Sequence, residues 1–283
     1  MSSPEAANGP PDDANDLRGL YFRLLLGKTS TRIAVSAPAI AGGVAGALLA
    51  GAVIGAVGFA AGLTIALVVT LAIADSRSEA AFFQVYGEQH GLTVYDRSRL
   101  PEATPLLRKG DDHYAERTLE GPLGDGVEGL LALYTYEERT SNGKGGTETN
   151  YYRYTVGLIE VPECASFVPE LYCQRKSGLR ALEKFEDVFH RSKERIKLES
   201  EALDERYEIF ATKGQDANRL RQLFSPTFIV WLTDSAPEKF AFELVGGNLC
   251  CYVHGHKKKA AELDTIRIAS TAVATQLREE SLE

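Results

Sequence analysis

The 42 residues from Ile33 to Ala74 contain no Asp, Glu, Lys, Arg or His, and the only hydroxyl side chains among them are Ser36, Thr64 and Thr70. About 20 apolar residues suffice to cross a bilayer as a helix, so the stretch is twice the required length. The pattern predicts a helical hairpin: one helix over Ile33–Ala52, a second over Val57–Ala74, and a turn near Gly55–Gly58. Glycines recur four apart at Gly42/Gly46, Gly51/Gly55 and Gly58/Gly62, a spacing that lets helix backbones approach closely. Packing within the hairpin is one use for them, and a glycine-zipper homo-oligomer is another. Upstream, Leu17, Leu20, Tyr21, Leu24 and Leu25 fall at helical spacing, with Arg18 and Arg23 off that face. This reads either as a short interfacial helix or as the first turns of the spanning helix.

After Ala74 the pattern changes. Ala81, Phe82, Val85 and Tyr86 share a helical face within Asp75–His90, and Leu92–Tyr95 reads as a short strand. Residues 97–126, rich in Pro, Gly and charge, read as irregular. Gly126–Arg139 and Tyr151–Pro162 read as long strands joined by a loop over Thr140–Asn150. Glu170–Lys176 predicts a strand, Ser177–Arg191 a helix, and 202–211 another strand. Helices follow at Asp216–Leu223 and from Pro226. Phe240, Phe242 and Leu244 then alternate, Gly246-Gly247 turns the chain, and Leu249–His254 returns as a hairpin. Leu263, Ile266, Val273 and Leu277 mark a closing helix. The expected class is α+β: an N-terminal two-helix transmembrane hairpin, then a soluble domain of antiparallel β-hairpins with flanking helices. The divisions are a disordered tail over 1–16, a basic lead-in over 17–32, the hairpin over 33–74 and the domain over 75–283.

Charge orients this plan. Arg18, Arg23, Lys28 and Arg32 precede the first helix with no acid between them. Positive flanks remain cytoplasmic, so two crossings place both termini and the α+β domain in the cytoplasm, at the inner (plasma) membrane. The four cysteines, Cys164, Cys173, Cys250 and Cys251, form no CxxC pair and read as reduced thiols. A net charge of -8 argues against a nucleic-acid partner.

The segment from Phe189 to Val253 carries a further pattern. It runs Phe-His-Arg-Ser-Lys-Glu-Arg-Ile-Lys-Leu-Glu-Ser, then Leu-Asp-Glu-Arg-Tyr-Glu-Ile-Phe, then Ala-Asn-Arg-Leu-Arg-Gln-Leu-Phe-Ser-Pro-Thr-Phe-Ile-Val-Trp-Leu. A hairpin with Phe240, Phe242 and Leu249 follows. This resembles a bacterial membrane-protein family of unknown function that pairs an N-terminal helical hairpin with a cytoplasmic domain. The resemblance covers most of 75–255 and departs at Leu203, where an aromatic is expected. It implies the same topology and no catalytic residues.

Candidate chemistry concentrates at Cys250, His254 and His256, which with Tyr252 would share one strand face as zinc or copper ligands, with His113 or His190 as a fourth. Gly255 interrupts that face, so the alternative is packing cysteines beside surface histidines. Glu199, Glu201, Asp204 and Glu205 read as a solvated face rather than an acid–base pair. Gly-Lys-Gly-Gly at 143–146 lacks the strand-to-helix setting of a phosphate loop. Lys257, Lys258 and Lys259 join Arg18, Arg23, Lys28 and Arg32 as basic groups that could face lipid headgroups. The expected function is a membrane-anchored binding or scaffold domain with no predicted cofactor. Its expected partners are the bilayer and a protein at the domain. An enzymatic or metal-dependent domain and an oligomeric membrane assembly are the alternatives.

Overall fold

A computed structural model describes residues 11–141, 146–176 and 193–282. The chain divides into two compact units: one reaches Tyr86 and includes Lys258–Ala260, and the other comprises Gly87–Lys257 and the chain from Ala261.

In the first unit, α1 (Arg18–Gly27) ends where Lys28 turns extended, so it is separate from α2 (Thr29–Ala50). Gly51, with φ +93°, breaks the chain before α3 (Ala52–His90). The break therefore precedes the expected turn at Gly55–Gly58. Those two glycines lie inside α3 and serve a different purpose. A methyl on Gly58 would stand 2.5 Å from the Gly42 carbonyl oxygen, and one on Gly55 would stand 2.8 Å from that of Gly43. Backbones meet at this distance only where Cβ is missing.

At 39 residues, α3 is long and apolar enough to cross a membrane, and most of its apolar window is uncovered. It continues without interruption into the helix expected at Asp75–His90. The tail expectation also needs revision over residues 11–16. Ala14 N–H donates to the Lys258 carbonyl, Ala260 N–H donates to that of Asp12, and Asp13 bridges Lys259.

In the second unit the described residues form one antiparallel sheet of nine strands. These are β1 (Thr93–Ser98), β2 (Asp112–Gly124), β3 (Val127–Ser141), β4 (Thr147–Glu160), β5 (Glu170–Arg175), β6 (Lys193–Ile196), β7 (Tyr207–Thr212), β8 (Ala241–Val245) and β9 (Asn248–His254). Their order is β1-β2-β3-β4-β9-β8-β5-β7-β6. β2 takes up the second half of the segment expected to be irregular at 97–126, while 99–111 carries no strand. Its Pro122 sits at a register shift, where a missing N–H is tolerated. The turn into β3 is Asp125-Gly126, both at positive φ, a two-residue hairpin turn.

The strand expected at 202–211 begins later. Ser200 Oγ accepts the Leu203 N–H and caps α4 (Glu201–Arg206), so only Tyr207, Ile209 and Ala211 keep the alternation. Asp216 caps α5 (Ala217–Leu223), and Ser225 with Pro226 opens α6 (Pro226–Val230), as the turn chemistry predicts. The helix expected at Ser177–Arg191 lies outside the described residues, as does the centre of the loop at 140–150.

Both sheet faces are covered. On one, the register aligns Leu131, Gly157, Cys251 and Phe242. Against it packs α7 (Ala260–Leu282), whose Ile266, Ser270, Val273 and Leu277 are buried at helical spacing. A methyl on Gly157 would lie 2.3 Å from Ser270 Oγ. The other face carries Tyr134, Tyr136, Tyr154, Tyr252 and Cys250 under the segment between β1 and β2, which contributes Leu100, Leu106 and Leu107.

Candidate functional site

Three places could carry function: the apolar helices with their basic flank, a buried polar cluster in the sheet domain, and a groove at one end of the sheet.

The helices of the first unit expose a belt of large apolar side chains. Ile33, Ile40, Val44 and Leu48 on α2, and Val53, Val57, Ile65 and Val68 on α3, all meet solvent. Contiguous exposure on this scale marks a surface meant for an apolar medium or partner. Of the basic flank, Arg18 pairs with Asp75 at 3.7 Å. Lys258 pairs with Glu79, and Lys259 lies 4.0 Å from Asp13. In the second unit Lys257 lies 3.6 Å from Glu262. The three lysines therefore already face carboxylates of the chain, whereas exposed Arg23 and Lys28 make no ion pair among the described residues. Of the six spaced glycines, Gly42, Gly55 and Gly58 make the close approach and Gly51 makes the break. Gly62 is half-buried on α3, and the surroundings of Gly46 lie outside the described residues. Gly43, against Phe59, is a packing glycine that the four-residue spacing did not select.

The buried cluster centres on Glu243 of β8, which is fully buried. Its Oε2 accepts the Leu106 N–H at 3.0 Å, and Tyr134 Oη donates to the Leu106 carbonyl at 3.2 Å. One residue of the covering segment is thus held through both its backbone groups. Thr104, Lys109, Tyr252 and Cys250 surround the carboxyl. The Thr104 and Tyr252 hydroxyls favour its charged form without reaching hydrogen-bond geometry at Oε1. Burial outweighs them and pushes Glu243 up to about 7. Lys109 is itself buried, its Nζ 5.5 Å from the Tyr136 ring centroid. Tyr136 stacks on Tyr152 and Tyr154 at 4.8 and 5.9 Å. Glu243 is thus fully buried, and its contacts latch the covering segment onto the sheet.

The expected metal face separates in the structure. Cys250 is fully buried opposite Glu243, and burial raises its thiol pKa well above the ordinary range. His254 is exposed, 5.5 Å from the Tyr154 ring. Gly255 then takes φ +84° and ends the alternation. His256 Nε2 lies 3.1 Å from the Tyr134 carbonyl oxygen and 3.3 Å from Thr135 Oγ1, while Nδ1 faces Glu116. His113 lies 3.2 Å from Glu102. Among the described residues no three His, Cys, Asp or Glu converge as a metal site, and His190 lies outside them. Glu199, Glu201 and Glu205 are exposed and Asp204 is half-buried, with Glu201 and Asp204 in the first turn of α4.

Glu243 was missed because Phe240, Phe242 and Leu244 define a period-two face that leaves residue 243 on the outside. The unbroken run Leu249–Val253 on the partner strand was the available signal. A strand apolar at every position is buried on both faces.

The groove at the end of the sheet has a volume of about 520 Å³ and is lined by Pro101, Glu120, Glu128, Leu158, Leu249 and Arg278, among others. Arg278 is held by Glu163 at 2.8 Å and by the Glu160 carbonyl at 3.0 Å. Exposed Glu120, Glu128 and Glu160 make its rim acidic.

No family model and no curated protein matches the chain. Among solved structures it is similar to the crystal structure of the mycobacterial trehalose monomycolate transport factor A, TtfA, at TM-score 0.43 and 10% sequence identity, over 70% of this chain and 90% of that one.

Proposed function

We propose that this is a multi-pass protein of the inner (plasma) membrane, with both termini in the cytoplasm, whose sheet domain is a non-catalytic binding or scaffold module. The observation that carries the reading is α3, a single helix that leads from an exposed apolar stretch to the first strand of the domain. α2 supplies the second crossing: its apolar residues, 33–50, extend about 27 Å at 1.5 Å per residue. A hydrocarbon core is about 30 Å thick. The exposed apolar belt on both helices supports burial in lipid. α1, ahead of them, lies at the interface with the basic flank. Retention of positive residues in the cytoplasm sets the orientation. Gly42 and Gly58 already face each other within one chain, which favours hairpin packing over a glycine-zipper oligomer. The resemblance to a membrane-protein family of unknown function agrees with this plan. The acidic-rimmed groove is the surface offered to a protein partner.

Alkaline carbonate extraction tests the anchor, and the protein is expected in the pellet. Orientation is tested by Val230→Cys, at an exposed position of α6. An impermeant maleimide should modify this thiol in lysed cells and not in intact ones, and labelling of intact cells overturns the orientation. For the binding role, a pulldown in mild detergent compares the full chain with one lacking residues 75–283. Equal recovery of all proteins by both removes the support for a scaffold.

A further inference from the structure

A groove of about 500 Å³ lies in the first unit, lined by α2 and α3 and by Leu25 of α1. Val35 of α2 and Ile65, Val69 and Ile73 of α3 line its length, and Ser30 and Arg77 lie at one end. The stripe from Ile65 to Arg77 covers about 18 Å of helix at 1.5 Å per residue. That is close to the depth of one leaflet, half of the roughly 30 Å hydrocarbon core. Thr70, the hydroxyl that α3 contributes to the lining, donates to the Ala66 carbonyl at 2.8 Å. Arg77 is exposed and makes no ion pair among the described residues, whereas neighbouring Arg18 is paired with Asp75. The groove is therefore apolar for one leaflet's depth and ends at an uncompensated guanidinium, a group whose fork of donors matches a phosphate.

We propose that this groove seats one acyl chain of an anionic glycerophospholipid from the adjacent leaflet, with the lipid phosphate on Arg77. The proposal rests on the membrane reading above and deepens it from a bilayer in general to one lipid at one place. Charge complementarity selects the headgroup, and the match of groove length to leaflet depth selects a chain of the same leaflet. A detached phosphate compound would use only the polar end.

The test uses the full chain, delipidated in detergent and titrated with phosphatidylglycerol or phosphatidylcholine of identical chains, with bound lipids counted by native mass spectrometry. One phosphatidylglycerol should bind with about fivefold preference, the effect of one well-placed cationic residue. Arg77→Gln should abolish the preference while leaving helix content by circular dichroism unchanged. Arg23→Gln, which removes a flank charge outside the groove lining, should preserve it. Ala34→Phe, which fills the groove, should reduce binding of both lipids. Glycerol phosphate in excess should not displace the bound lipid. Equal binding of the two lipids, a preference that survives Arg77→Gln, or equal losses in Arg77→Gln and Arg23→Gln would overturn the proposal. Failure to pellet with membranes after carbonate extraction defeats the membrane reading itself. A protein that pellets but shows no lipid preference defeats only the lipid site.

Discussion

At the residue scale, Glu243 gives the domain a pH dependence whose sign follows from burial. Its folded pKa is raised from an ordinary 4.5 to about 7. The folded state therefore holds its proton over an interval in which the unfolded chain has released it. Stability is greatest below about pH 4.5, falls as pH rises toward 7, and is flat above that as far as this group is concerned. The span between the two values corresponds to about 3 kcal/mol, an upper bound for a group whose surroundings can relax. Lys109, Thr104 and Tyr252 face the carboxyl and limit the rise. Glu243→Gln should raise the unfolding temperature of the full chain at pH 8 and flatten its dependence between pH 5 and 7. Trp231, the only tryptophan, reports on this unit because it stacks on Phe228 at 5.6 Å and meets Phe240 edge-on at 5.9 Å. A variant with unchanged pH dependence would show that Glu243 is not the titrating group.

At the scale of elements, glycines set how closely neighbours pack. β4 approaches α7 at Gly157, where added carbon meets the Ser270 side chain at 2.3 and 2.9 Å. Gly157→Ala should destabilise the domain by about 1–3 kcal/mol, the usual range for overpacking a filled core. The measurement is denaturant unfolding followed at Trp231, and an unchanged midpoint would refute the contact. In the first unit the Gly42–Gly58 approach is backbone against backbone, so no rotamer change can relieve a new side chain there. Gly58→Val should lower the temperature at which the detergent-solubilised chain loses its helical signal, and Ala60→Val, at an exposed position two residues on, should not.

At the scale of the molecule, the four cysteines are free and buried. Burial raises the pKa of each, which keeps them as thiols and lowers their reactivity. Native protein should therefore take up little maleimide, and denatured protein should take up four equivalents without prior reduction. Fewer than four would reveal an oxidised pair and argue against a reducing compartment. It also follows that the native thiols cannot report topology from either side of a membrane, which is why an introduced cysteine at Val230 is needed.

Much of the architecture was legible in local pattern because local physics produces it. Forty-two residues without charge identify the apolar helices, and Asp216 and Pro226 open helices where the pattern expects them, whereas Ser200 caps a helix where a strand is expected. Gly246-Gly247 closes a hairpin that pairs Val245 with Asn248. The Asp125-Gly126 turn carried the same signal, and reading it would have revealed β2 despite its charged residues. Other features were decided by segments distant in sequence. Whether residue 243 faces water depends on Leu106, 137 positions away, and whether Cys250 and His256 share a face depends on one positive φ at Gly255. The candidate metal face failed to assemble because strand alternation is a local rule that a single glycine ends. The apolar stretch and its basic flank were determined by sequence, since hydrophobicity and charge belong to residues individually. The break at Gly51, the glycine contacts, the sealed carboxyl and the groove ending at Arg77 were decided only in three dimensions, because each depends on which backbones come within contact of one another.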